Sequence, residues 1–134
     1  MEVTVTSNKK KVLDELERKT LLALKSIGEK AEEYAKKDCP VDTGRLRNSI
    51  THATQKYSGQ QSYSDKKGNH YHDGGAKGIP DEDCVCIGTN VVYARQIEFN
   101  DRISHTVGKA HFLKDAISNH GDEYKKIAQA ALEE

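Results

Sequence analysis

The sequence predicts an α+β fold: a small antiparallel sheet packed by a long N-terminal helix and a C-terminal helix, with a long polar loop or hairpin arm. Three observations carry this. An apolar stripe with a helical period runs from about Asn8 to Lys37, and a second runs from Ala110 to Leu132. Between them the apolar residues fall in short runs of strand length. Strands grouped between helices, rather than alternating with them, argue against a parallel βαβ sheet. At 134 residues, with no repeat and no linker-like boundary, a single domain over 1–134 is expected.

The elements follow in order. Val3 and Val5 alternate with Glu2, Thr4 and Thr6, the pattern of a short half-buried strand. Ser7 or Asn8 then supplies a helix cap, since a short side-chain oxygen accepts an orphan amide proton. Leu13, Leu16, Thr20, Leu24, Ile27, Ala31 and Tyr34 succeed each other by three or four residues, and Leu21, Leu22 and Ala35 widen that stripe. Gly28 costs such a helix about 1 kcal/mol relative to alanine, which close packing against a neighbour would offset. Pro40 stops the helix at or before Cys39, because the residue ahead of a proline is pushed out of the helical region.

Asp42 or Thr43 suits the cap of a short turn on which Leu46 and Ile50 share a face. From Ser49 to Tyr57 the pattern is extended. Residues 58–83 hold half of the glycine and almost nothing apolar, and read as a flexible loop or hairpin arm. Cys84 to Thr89 resumes as a buried strand, Val91 to Phe99 as a short helix or turn, and Arg102 to Val107 as one more strand. The closing helix carries Leu113, Ala116, Ile117, His120, Tyr124, Ile127, Ala128 and Ala131 on its stripe, with Gly121 marking a break or a close contact.

Composition excludes several function classes. Twenty-one Lys and Arg balance twenty-one Asp and Glu, so the net charge is zero and a sequence-specific nucleic-acid partner is not expected. The longest strictly apolar run, Leu21 to Leu24, is far short of the ~20 residues that span a bilayer, so no membrane association is expected. Met1 to Lys11 lacks the apolar core of a secretory signal. Three cysteines cannot close a disulfide framework, which favours a reducing, cytoplasmic setting. No Trp, two Phe and 31% charged residues give a thin core, and thin uncharged proteins tend to finish their burial against partners or copies of themselves.

The densest reactive set surrounds the long loop: His70, His72, Asp73, Asp81, Asp83, Cys84 and Cys86. A zinc site from His70, His72, Cys84 and Cys86 is chemically possible, but the spacing matches no two-residue ligand knuckle. Within Gly-Asn-His-Tyr-His-Asp, His70 faintly resembles a metal-dependent nuclease motif without the helix that would complete it. The plainer readings are small apolar core cysteines and a solvated loop tip for the histidines. No phosphate loop and no nucleophile elbow is present, so neither a catalytic residue nor a cofactor or metal is expected.

Two stretches are not explained by packing alone. One is Pro40-Val41-Asp42-Thr43-Gly44-Arg45-Leu46-Arg47-Asn48-Ser49-Ile50, and the other runs Ile87-Gly88-Thr89-Asn90-Val91-Val92-Tyr93-Ala94-Arg95-Gln96-Ile97-Glu98-Phe99-Asn100. In this order, and followed by Ala110-His111-Phe112-Leu113-Lys114-Asp115-Ala116, they resemble the tail-completion or head–tail joining (neck) family of phages and prophages, the HK97-type minor structural proteins. Two positions depart: Asn100 stands where the family often has Gly, and His111 where it often has Pro. Asn is the residue after Gly that best tolerates a left-handed backbone, so the turn at Asn100 is expected to persist. The resemblance implies a non-enzymatic structural protein at the virion neck, made in the bacterial cytoplasm. It would act as a homo-oligomeric ring between the head connector and the tail tube or tail terminator. Residues 58–83 are then a docking arm bearing His70 and His72. Arg45, Arg47, Tyr93, Arg95 and Glu98 are interface contacts or members of a buried polar network.

Overall fold

A computed structural model describes residues 2–75, 83–102, 105 and 107–133, and it is α+β. Helix α1 (Lys9–Asp38) is 30 residues long and ends where Cys39 turns extended ahead of Pro40. Its buried positions are small, Ala23, Gly28, Ala31 and Ala35, so neighbouring elements approach its backbone closely. A Cβ on Gly28 would lie 2.7 Å from Val85 Cγ2 and 2.8 Å from His52 Cδ2. The glycine is therefore the contact point between helix and sheet, as its unfavourable helical position suggested.

The chain continues through α2 (Arg45–Ser49), β1 (Thr51–Ala53), β2 (Tyr63–Ser64), β3 (His70–Tyr71), β4 (Cys86–Gly88), α3 (Ala94–Phe99), α4 (Phe112–Ser118) and α5 (Gly121–Glu133). Strands β1 and β4 pair antiparallel, Thr51 opposite Gly88 and Ala53 opposite Cys86. Strands β2 and β3 form a separate hairpin, Tyr63 opposite Tyr71. The core gathers Ala35, Cys39, Leu46, Ile50, Val91, Ala94, Phe112 and Ala116 from α1, α2, α3 and α4. Tyr34 of α1 stacks on His120 with ring centroids 3.5 Å apart, and its hydroxyl bonds Glu123, which docks the start of α5 on α1.

Several expectations are corrected. Residues 2–6 form no strand; Val3 and Val5 are 80% and 89% exposed. The first ten residues of α1 are exposed as well, Leu13 and Leu16 included, because α5 has only 13 residues and packs alongside the later turns. The cap of α2 is Gly44, at φ 87, while Thr43 Oγ1 accepts the Arg45 amide from one residue earlier. Extended structure after Ser49 ends at Ala53, where Thr54 and Tyr57 close a tight turn. The single closing helix is two, broken at Asn119 and His120 just ahead of Gly121.

The expected buried strand over Cys84–Thr89 shrinks to Cys86–Gly88, with Cys86 exposed and Cys84 half-buried. Val85 and Ile87 face α1 and the core instead, and side chains alternate along a strand, so Cys86 is turned outward. Cys39 is the buried thiol. Asn100 is not left-handed; at φ −100 it makes its turn through its side chain, whose Oδ1 accepts the Arg102 amide at 3.0 Å. The positive φ falls on His111, held by Asp101 at 2.8 Å. The strand expected over 102–107 falls largely on residues 103, 104 and 106, which lie outside the described residues.

Candidate functional site

The two unusual stretches of sequence meet in space. Ile50, from the first, and Val91 and Ala94, from the second, share the core, and Ser49 Oγ lies 2.5 Å from Thr89 Oγ1. Around this seam lies a cleft of about 400 Å3, bordered by Pro40, Asp42, Arg45, Tyr93, Ile97 and His105. Arg45 Nε and His105 Nε2 are buried there without a hydrogen-bond partner among the described residues.

Arg45, at the edge of the cleft, holds the hairpin. Arg45 opens α2, and its guanidinium lies 4.3 Å from the centroid of the Tyr71 ring while Nη2 donates to Asp73 Oδ2 at 3.0 Å. The Tyr63 hydroxyl donates to the other Asp73 oxygen at 2.6 Å. The Tyr63 hydrogen bond, and after it Arg45, outweigh desolvation and hold the Asp73 carboxyl below its ordinary value. Asp65 anchors the tip of the hairpin: it accepts the amides of Lys67 and Asn69, the Asn69 side chain and the Tyr71 hydroxyl. Desolvation pushes its carboxyl up, but these bonds prevail and the net shift is downward. Asn48 Nδ2 donates to the Ser64 carbonyl at 2.6 Å, and the Lys66 amide to the Thr43 carbonyl at 2.7 Å. Residues 63–73 of the polar arm are thus an ordered hairpin clamped on α2.

Helix α3 borders the cleft through Ile97 and its cap residue Tyr93. Val92 is 92% and Phe99 65% exposed, with Arg95 exposed between them and Arg102 bordering the same hollow as Phe99. Tyr93 is half-exposed at the cleft. Glu98 points the other way. It is 4% exposed, and its two oxygens accept the Leu113 and Lys114 amides, each at 3.0 Å. These are orphan donors of the first turn of α4, whose cap residue His111 makes no side-chain cap bond. Glu98 thus belongs to a buried polar network that ties α3 to α4.

Of the candidate residues, Tyr93 borders the cleft, Arg95 lies beside Phe99 on the exposed face of α3, and Arg47 is exposed on α2. Arg45 is engaged by the hairpin. His70 and His72 stand exposed on the hairpin rim, each with Nδ1 beside a cross-strand serine oxygen, Ser64 at 2.7 Å and Ser62 at 3.0 Å. Among the described residues no group of three or more His, Cys, Asp or Glu is placed to hold a metal, so the metal-binding or nuclease-like alternative has no assembled site there. Sequence reasoning passed over Val92, Phe99 and Arg102; the signal was Val92 and Phe99 lying outside the helical stripe completed by Ala94, Ile97 and Glu98. No helix is long and apolar enough to cross a membrane among the described residues.

Comparison with known families adds one match: the model described as "Bacteriophage HK97-gp10, putative tail-component" covers residues 4–99. That span includes the first unusual stretch, the hairpin and the second stretch but for Asn100, and ends at the last residue of α3. No curated protein and no solved structure matches the chain.

Proposed function

We propose, starting from the fact that this chain belongs to the HK97-gp10-like family of phage tail components, that it is a structural, non-enzymatic protein of the virion neck. In this reading it joins the head connector to the tail tube or tail terminator as a closed ring of copies. The observation that carries the reading is the family match over 4–99. The surface supports it: Phe99, Arg95 and Arg102 border one hollow, and aromatic residues and arginine are enriched at protein interfaces. A ring needs two different patches on each subunit, since only a head-to-tail contact closes by rotation. The α3 face around Phe99 and the hairpin clamped on α2 are distinct surfaces and offer two.

The test is deletion of the gene in the phage or prophage that carries it, followed by electron microscopy of the lysate. Filled heads and finished tails that fail to join support the neck assignment. Joined, infectious particles in normal yield overturn it. Joined particles with tails of wrong length place the protein elsewhere in the tail.

A further inference from the structure

Among the described residues, the segment that the sequence patterns as a strand, Val3 to Val5, pairs with nothing in its own subunit, and a strand edge elsewhere has no partner. Strand β4 is bonded to β1 on one side only; among the described residues no backbone hydrogen bond reaches Cys86–Gly88 from the other side. A two-stranded sheet is marginal alone, and exposed edges are usually guarded by Lys, Pro or a bulge. Cys86-Ile87-Gly88 is short but carries no Lys, Pro or charged residue.

We infer that residues 2–6 of one copy add as a third strand to the β4 edge of a neighbouring copy. The inference rests on the ring reading and names its subunit contact. Chain reach excludes the same subunit. Val85, just ahead of β4, lies beside Gly28, and Gly28 is ~28 Å along α1 from Lys9 at 1.5 Å per residue. With residues 3–5 laid on the edge, residues 5–8 alone remain as the tether, and fully extended they span ~13 Å. The exposed first turns of α1 instead carry the arm away from its own sheet. Alternation fits the acceptor: Val3 and Val5 extend the layer of Val85 and Ile87, and Glu2, Thr4 and Thr6 lie on the face of Cys86. Backbone pairing holds the strand, and the alternate side chains set its register. Such a contact joins two unlike surfaces, the kind that closes a ring.

The exposed native Cys86 supplies the test. Single cysteines are placed at positions 3, 4, 5 and 6 (Val3→Cys, Thr4→Cys, Val5→Cys, Thr6→Cys) in a Cys84→Ser background. Mild oxidation is applied to the assembled protein, free or on purified tails. Cross-strand cysteines on one face fall within disulfide range. The expected result is a ladder of linked subunits from positions 4 and 6, little from 3 and 5, and none once Cys86→Ser is added. Equal linking at all four positions, or none in assembled protein, overturns the strand addition. As a second measurement, Val3→Pro with Val5→Pro removes ladder donors far from any core, so the subunit folds; light scattering should show association about tenfold weaker or worse. Proline variants that assemble like the parent overturn the strand addition and leave the ring reading standing. A parent that stays monomeric both in solution and on tails overturns both.

Discussion

Replacing Glu98 by alanine tests the link between the family-matched region and the C-terminal helices. The carboxylate is buried, and each oxygen accepts one amide of the α4 first turn at 3.0 Å. Hydrogen bonds to a charged group contribute about 1.5–3 kcal/mol each, and leaving buried donors unsatisfied costs on the same scale. Water reaches part of the vacated space, so the loss for Glu98→Ala is set at about 3 kcal/mol. Phe112 and Ala116 of α4 are fully buried in the core, so loosening α4 is felt by the whole domain rather than locally. An unfolding entropy of about 2.1 cal/mol/K per residue over 134 residues makes each kcal/mol worth about 3–4 °C, hence a fall in Tm of about 10 °C. Glu98→Gln keeps one acceptor but sets its amide donors against an amide N–H, and should lose about 2 kcal/mol. Urea and thermal unfolding followed by circular dichroism read these differences, with Glu29→Ala on the exposed face of α1 as a control expected within about 0.5 kcal/mol of the parent. A Glu98→Ala protein as stable as that control would refute the capping role.

Three further outcomes are expected. Gly28→Leu should destabilise by about 1–3 kcal/mol through collision with Val85 and His52, whereas Gly121→Ala, whose Cβ meets nothing within 4 Å, should be neutral or slightly stabilising; urea midpoints compare the two. The hairpin should loosen in acid. The folded Asp65 and Asp73 carboxyls lie below their ordinary value of 3.8, so their contribution is complete above that value and is lost as pH falls through the depressed folded values. Amide exchange across 63–71 should therefore accelerate below about pH 4 before exchange in α1 does, and Asp73→Asn should remove part of that dependence. Native alkylation should modify Cys86 first, while Cys39, whose thiol burial pushes up to about 12, should react only after unfolding; rapid native labelling of Cys39 by mass spectrometry would contradict the packing.

How far the site was legible depends on how far apart its partners lie in the chain. The Pro40–Ile50 and Ile87–Asn100 stretches were visible as compositions that packing did not require, and the family match covers both through residue 99. The clamp of Arg45 on Asp73 joins residues 28 apart, and no local pattern marks that pair. Glu98 and Arg95 read alike as charges on one short helix. Only the placement of α4, 15 residues later, turned one inward and left the other in solvent.

Local order was determined by the sequence itself. Helical periodicity and Pro40 bound α1, Gly28 announced a close approach, Gly121 announced the break in the closing helix, and the grouping of strands between helices set the α+β class. Each of these depends on neighbours within a few residues, where propensity and sterics act directly. Tertiary structure alone decided which part of the α1 stripe is covered, which thiol is buried, and that a polar arm folds into a hairpin. A strand register that turns Val85 and Ile87 inward sends Cys86 outward, and a one-residue slip would reverse all three. α5 is too short to cover the first turns of α1, and among the described residues no strand of the same subunit lies within reach of Val3–Val5.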